Sequence, residues 1–210
     1  MKFTEQHREN LNAYLKDREI PKGTGTKESA CSVAAINLAI SGKLTDDIPD
    51  CMSDVLGEAV IHIQDAMPNE IRNSKEYKAL LPDMAGTGRE HEKERLSILL
   101  DWMWGTVLPQ VQPIADKEGF GGEWKTMCEE RTYNAASAAE RAVSTASCYA
   151  PAASAAASAS RAANATASTA RAAEAACCAV GSAVKASNGD NFWKAVDPIS
   201  LLKRMTYLKE

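Results

Sequence analysis

Large side chains are missing from one long stretch of this chain. Between Asn134 and Asn191 only Val143, Tyr149, Val180 and Val184 exceed cysteine or threonine in bulk on the apolar side. The stretch is dominated by Ala and Ser, as in STASCYAPAASAAASASRAANATASTARAAEAACC, Ser144 to Cys178. It is long enough to cross a bilayer, but Ser, Thr, Asn and Arg interrupt it every few residues, and a spanning helix needs a predominantly apolar run. An excess of positive charge is missing too. With 24 Lys and Arg against 28 Asp and Glu, the net charge is -4. That balance leaves no footprint for non-specific binding to nucleic acid or to an acidic membrane. The opening MKFTEQHRENLNAYLKDREI is charged throughout and has no apolar core segment, so no secretory signal is read there. The expectation is a soluble, cytoplasmic protein.

Catalytic and metal-binding signatures are also missing. No CxxC pair occurs among Cys31, Cys51, Cys128, Cys148, Cys177 and Cys178, and their spacing is irregular. Adjacent Cys177 and Cys178 are badly placed to ligate one ion. Buried free thiols are expected, because cysteine packs as a small hydrophobe, and no metal or cofactor is expected. No Ser, Cys or Thr stands in a GxSxG-type setting. His91 lies among Glu90, Glu92 and Glu94 without the HExxH spacing. Asp46, Asp47 and Asp50 share a loop but do not form a calcium-binding EF-hand pattern.

What is present is helical signal. FTEQHRENLNAYLKD places Phe3, Leu11 and Leu15 on one side of a helix. Thr26 and Glu28 offer a start for a second helix that stops at Gly42, a natural left-handed cap. CMSDVLGEAVIHIQDAM puts Met52, Val55, Leu56, Val60, Ile63 and Met67 at spacings of three and four, and Pro68 closes it. SKEYKALLPDMAGTG supplies a short helix and a Gly-containing turn. REHEKERLSILLDWMWGTVLPQV carries an apolar stripe of Leu96, Leu99, Leu100, Met103, Trp104 and Val107, ended by Pro109 and Pro113.

Alanine is the strongest helix former, and the alanine-rich stretch is periodic. Polar residues recur at 137, 140, 144, 147, 151, 154, 158 and 161, while positions 135, 138, 142, 146, 153, 156, 159, 163, 167, 170 and 173 are all Ala. This repeat near three and a half predicts long helices packed side by side, roughly 123–149 and 151–185, divided at Pro151. A pentapeptide-repeat β-solenoid also wants a small residue at every fifth position. Its partner column two places on must be large and apolar, whereas here that column contains Ser144, Ser154, Asn164 and Glu174. After an Asn-Gly turn, Pro198 opens a last helix bearing Ile199, Leu201, Leu202, Met205 and Leu208.

The sequence therefore predicts an all-α fold: a helical N-terminal region over 1–122, and over 123–210 an alanine-rich helical region with an aromatic C-terminal segment, the two forming one compact unit. Burial of a methylene is worth only about 0.8 kcal/mol, so alanine faces need either very close helix approach or large side chains from elsewhere. Trp102, Trp104, Trp124, Phe192 and Trp193 are expected to cap them, with a homodimer as the competing way of covering the alanines.

Three surfaces are candidates for function. The Gly86–Glu94 turn, with Arg89 and His91, offers backbone N–H groups at a helix start to a small anionic ligand or an enzyme's substrate. Trp102, Arg161, Arg171 and Trp193 are candidates for contacting a protein partner. Arg161 and Arg171, ten apart and so nearly three helical turns, also supply one face for a nucleic-acid reading. The segment from Ala30 to Thr132 together with FWKAVDPISLLKRM resembles, around a variable alanine-rich middle, a group of uncharacterised alanine-rich helical proteins of bacteriophage and mobile elements. It is more distantly similar to the alanine-rich immunity-protein type. The resemblance implies an accessory protein that binds a protein partner, such as a host defence factor whose activity it inhibits or modulates, and it lends no catalytic residue.

Overall fold

The computed structural model describes residues 2–146, 150–165, 168–187 and 191–208. Among these the architecture is all-α, and the only β-type pairing is an isolated bridge between Gly25 and Ala30. In chain order the helices are α1 (Glu5–Leu15), α2 (Ser32–Ser41), α3 (Asp54–Ala66), α4 (Asn69–Arg72), α5 (Lys75–Ala85) and α6 (Glu92–Trp102). A π-helical turn (Met103–Val107) and a 3-10 turn (Leu108–Val111) follow. Then come α7 (Gln112–Lys117), α8 (Gly121–Glu130), α9 (Tyr133–Ala146), α10 (Ala150–Asn164), α11 (Thr169–Ser187), α12 (Phe192–Val196) and α13 (Pro198–Thr206). No helix among the described residues is long and apolar enough to cross a membrane.

The chain divides into two compact units, residues 1–95 with 199–210 and residues 96–198. Composition changes near residue 122, but the changeover between units falls inside α6. Side-chain size marks the border of the alanine tract and carries no information about where contacts cease.

In the first unit the apolar spacing works as the sequence predicts. Met52, Val55, Leu56, Val60, Ile63 and Met67 are all buried. Thr4 caps α1 in a reciprocal arrangement with His7, each side chain accepting from the other's backbone N–H. Gly42 ends α2 at φ 70°. The start of α2 is a correction. Residues 26–31 are not helical, because Thr26 Oγ1 accepts from the N–H groups of Glu28 and Ser29 and Tyr14 Oη accepts from Ala30 N–H. Cys31 becomes the N-cap instead. Gly25 sits at φ 80°, where an added Cβ would lie 2.1 Å from the Ser29 carbonyl oxygen.

Buried polar side chains tie this unit together. Arg72 is buried, and its guanidinium donates to the carbonyls of Ile20 (2.8 Å), Met67 (2.8 Å) and Gln64 (3.4 Å) and to Asn69 Oδ1 (3.2 Å). The C-terminal end of α3 is thereby satisfied by a side chain rather than by water. Ser32 hydroxyl pairs with Tyr77 hydroxyl at 2.9 Å, and Ser32 N–H donates to Gln64 Oε1 at 2.9 Å. Burial pushes the Tyr77 phenol well above its ordinary range. The final helix, α13, is latched to α5 by a Tyr207–Asp83 hydrogen bond and a Lys203–Glu76 ion pair.

In the second unit the sequence predicts that Pro109 ends the preceding helix, and the structure shows a softer outcome. The ladder ends at Trp102 and widens into the π-helical turn, which contains Gly105, the residue four before Pro109. Proline lacks an N–H and its ring crowds that carbonyl, so the chain continues by changing helix type. Two further breaks correct the expected long helices. Arg131 adopts a left-handed φ of 57° and separates α8 from α9, and Thr132 caps α9 by accepting from Ala135 N–H. The expected 151–185 helix is interrupted after Asn164, and Ser168 opens α11 by accepting from Arg171 N–H. Pro151 lies in the first turn of α10, where its missing N–H is harmless. Residues 147–149 of the expected first helix lie outside the described residues.

Helices α9, α10 and α11 fold back on one another, with α10 in the middle packing against both neighbours. A hydrogen bond of 3.2 Å between the hydroxyls of Ser137 and Ser160 fixes the register of α9 against α10. Burial on α10 therefore extends around much of the helix, from Ala152, Ala155 and Ala156 to Ser158, Ala159, Ser160 and Ala162. Ser158 belongs to the polar series that the period places outward. It is buried because α10 is flanked on two sides, and a hydroxyl is small enough to go inside once hydrogen-bonded. The π-helical and 3-10 turns pack against α11. Trp102, Trp104, Trp124 and Phe192 are buried in the same unit, whereas Trp193 is half-buried. Trp102 Nε1 donates to the Val196 carbonyl at 2.6 Å, and Trp124 Nε1 to that of Leu108 at 2.9 Å.

Candidate functional site

The break between α10 and α11 creates a cleft. Arg161 on α10 and Ala165 just past its end line one side; Arg171, Glu174, Ala175 and Cys178 line the other from α11. On an α-helix, residues three, four and seven apart share a face, so the four α11 residues form one wall. The cleft encloses about 360 Å³, near the small end of the roughly 300–1,000 Å³ of ligand sites. Arg161 Nη2 donates to the buried Ser158 hydroxyl at 2.6 Å, which holds its otherwise exposed guanidinium. The guanidinium of Arg171 makes no hydrogen bond or ion pair with a described residue. Three charged residues and a cysteine thus share the lining with Ala165 and Ala175.

Arg161 and Arg171 do come together, but not along one helix face as their spacing suggests. They line one cleft from two helices because α10 and α11 pack against each other. Glu174 and Cys178 were not singled out by sequence reasoning. Their signal was the 171, 174, 175, 178 spacing, which acquires meaning only once a second helix lies opposite.

The other sequence candidates are placed differently. Trp102 is buried, and its only polar atom is committed to Val196. Trp193 is half-buried and stacks edge-on against Phe192 at 5.4 Å. In the Gly86–Glu94 turn, Arg89 Nη2 lies 2.8 Å from Asp54 Oδ1 and Nη1 lies 3.8 Å from Asp50 Oδ1. His91 is exposed. The helix that begins in this turn is α6, and the neighbouring start of α3 is served from within the protein: Ser53 Oγ accepts from Leu56 N–H, and Glu92 Oε2 from Val55 N–H at 2.9 Å. Arg95, buried, donates to the carbonyls of Met205, Gly88 and Thr87. Burial pushes its guanidinium below the ordinary range against the opposing pull of Glu92, Glu90 and Glu94. The turn is an internal clasp.

Among the described residues, the thiols outside the cleft are packed rather than presented. Cys31 and Cys51 are buried and raised above the ordinary thiol range by burial. Cys128 is pushed up to about 12, chiefly by burial and secondarily by Glu129. Cys177 is buried, Cys178 half-buried, and Cys148 lies outside the described residues. Among the described residues no three side chains of His, Cys, Asp or Glu come together as a metal site requires. Comparison with protein-family models, with curated proteins and with solved structures finds no match for this chain.

Proposed function

We propose that this chain is a non-enzymatic binding protein that engages a protein partner through the arginine cleft of α10 and α11. The observation that supports it is the convergence of Arg161 and Arg171 on one open cleft of about 360 Å³ within an otherwise alanine-smooth layer. Arginine is enriched at interface centres because its planar fork recognises acidic groups at low reorganisation. The resemblance to alanine-rich phage and mobile-element proteins makes the proposed setting that of an accessory factor, with a host protein as the partner it restrains. A nucleic-acid role is less well supported, since Glu174 sits beside the two arginines and the chain is acidic overall.

A photo-crosslinking amino acid placed at Ala165, with a second placed at Tyr207 as a control site, tests this in the native host cell. The expected result is a discrete adduct from position 165 only. The partner identified in it should bind the purified protein at least about tenfold more weakly after Arg161→Glu and Arg171→Glu, as loss of charge-assisted contacts predicts. Unchanged binding by that double variant would refute the proposal.

A further inference from the structure

Resting on that reading of the cleft as a partner-binding site, we propose that what enters it is a single acidic side chain of the partner, one carboxylate carried on a short aliphatic stem. Charge comes first. Two arginines and one glutamate line the space, a set with one net positive charge, the complement of a monoanion. A phosphate dianion or a run of nucleic-acid phosphates brings more negative charge than the wall neutralises, and Glu174 repels the excess. Geometry agrees. A carboxylate accepts from two N–H groups of a guanidinium in a planar fork, and Arg171 has that fork uncommitted among the described residues. Arg161 is steadied from behind by Ser158 at 2.6 Å, so its remaining N–H groups are directed with little further loss of side-chain freedom.

The rest of the lining selects the stem. Ala165, Ala175 and Cys178 present methyl and thiol surface, which favours methylenes over a sugar or a hydrated inorganic anion. At about 360 Å³ the cleft has room for such a side chain and is too small to seat a folded domain.

Butyrate is a probe with this chemistry; inorganic phosphate and a short oligothymidylate are the competing anions. Each is titrated into the full protein while the arginine Nε–Hε signals are followed by NMR at neutral pH. Butyrate is expected to move the Arg161 and Arg171 signals saturably, with phosphate and oligothymidylate at least about fivefold weaker, the discrimination that one repelling carboxylate supplies. Glu174→Gln should narrow that gap, and Arg171→Gln should weaken butyrate about tenfold. Phosphate or oligonucleotide matching butyrate overturns the assignment, as does a protein whose arginine signals ignore all three. If butyrate fails while charge reversal at Arg161 and Arg171 still abolishes the crosslinked complex, the carboxylate assignment alone falls. If butyrate binds but charge reversal leaves the complex intact, the partner reading falls instead.

Discussion

The first unit and the alanine layer of the second reach stability by opposite means. The first buries large apolar side chains and threads them with polar ones: Arg72, Arg95, Ser32 and Gln64 are all at or below 5% exposure. The alanine layer of the second buries little beyond methyl groups and hydroxyls. One unit specifies its geometry by hydrogen bonds that a shifted chain could not make. The alanine layer relies chiefly on shape, since side chains this small allow helices to approach closely, with the Ser137–Ser160 hydrogen bond adding register. Stability from directional bonds is lost when a donor is removed. Stability from close approach is lost when an atom is added.

That contrast is most sharply tested at Arg72. Arg72→Ala strands the carbonyl of Met67 in a buried setting and leaves that of Ile20 with only the Asn73 side-chain amide, and the unsatisfied acceptor together with the lost side chain should reduce stability by about 2–4 kcal/mol. Urea unfolding reads this directly. A loss under about 1 kcal/mol would mean that the unit does not depend on its polar ties.

The converse experiment adds bulk. Ala159, fully buried on the central helix α10, replaced by Leu should lower stability by about 1–3 kcal/mol through overpacking, although the residue becomes more hydrophobic. A neutral or stabilising Ala159→Leu would show that the alanine helices are loosely apposed, and the distinction between the units would fail.

A smaller effect is expected where α13 is latched. Tyr207→Phe removes the hydrogen bond to Asp83 at a solvent-exposed site and should reduce stability by about 0.5–1.5 kcal/mol. Its pH dependence has a definite sign. Partial burial pushes the Asp83 carboxyl up, but hydrogen bonds from Tyr207 and Arg8 outweigh this and hold it below its ordinary 3.8. Its contribution is therefore present above that value and disappears as pH falls through the lowered one. The Tyr207 phenol is raised above its ordinary 10.0 by the same hydrogen bond, so its contribution is present below that value and disappears at higher pH. The difference between wild type and Tyr207→Phe should accordingly vanish at both extremes; a difference constant from acid to alkaline pH would contradict the latch.

The smallest perturbation is chemical labelling. With its thiol pushed up to about 12 by burial, Cys128 should resist alkylation by iodoacetamide in the folded protein at mildly alkaline pH, as scored by peptide mass spectrometry. Rapid modification there would mean that α8 opens readily and that the second unit is looser than its packing implies.

Much of the fold was legible in the sequence because helices are periodic. The apolar face of α3, the Gly42 cap of α2, the start of α13 at Pro198 and the helical character of the alanine tract all follow from spacing and from single-residue backbone preferences. The misplaced boundaries have a common cause. At Thr26 a side chain found turn N–H groups to satisfy; at Arg131 the backbone turned, and at Asn164 the helix ended, without a Gly or Pro to announce it. Breaks made by hydrogen bonding and by contact with a neighbouring helix leave no compositional mark.

The cleft was half visible. Arg161 and Arg171 stand out because the tract carries few charges, and their convergence depends on α10 and α11 folding back, which no local preference encodes. Trp102 attracted notice as a large aromatic, yet its burial and its bond to Val196 follow from a contact almost a hundred residues away in sequence. What this sequence determined by itself is the helical class, the apolar faces and the absence of bulk in one stretch, because propensity and period are properties of neighbouring residues. What only the tertiary structure decided is which alanines face inward, that Ser158 is buried, and that two arginines share a cleft, because each depends on what lies opposite, and that is fixed by the packing of the whole unit.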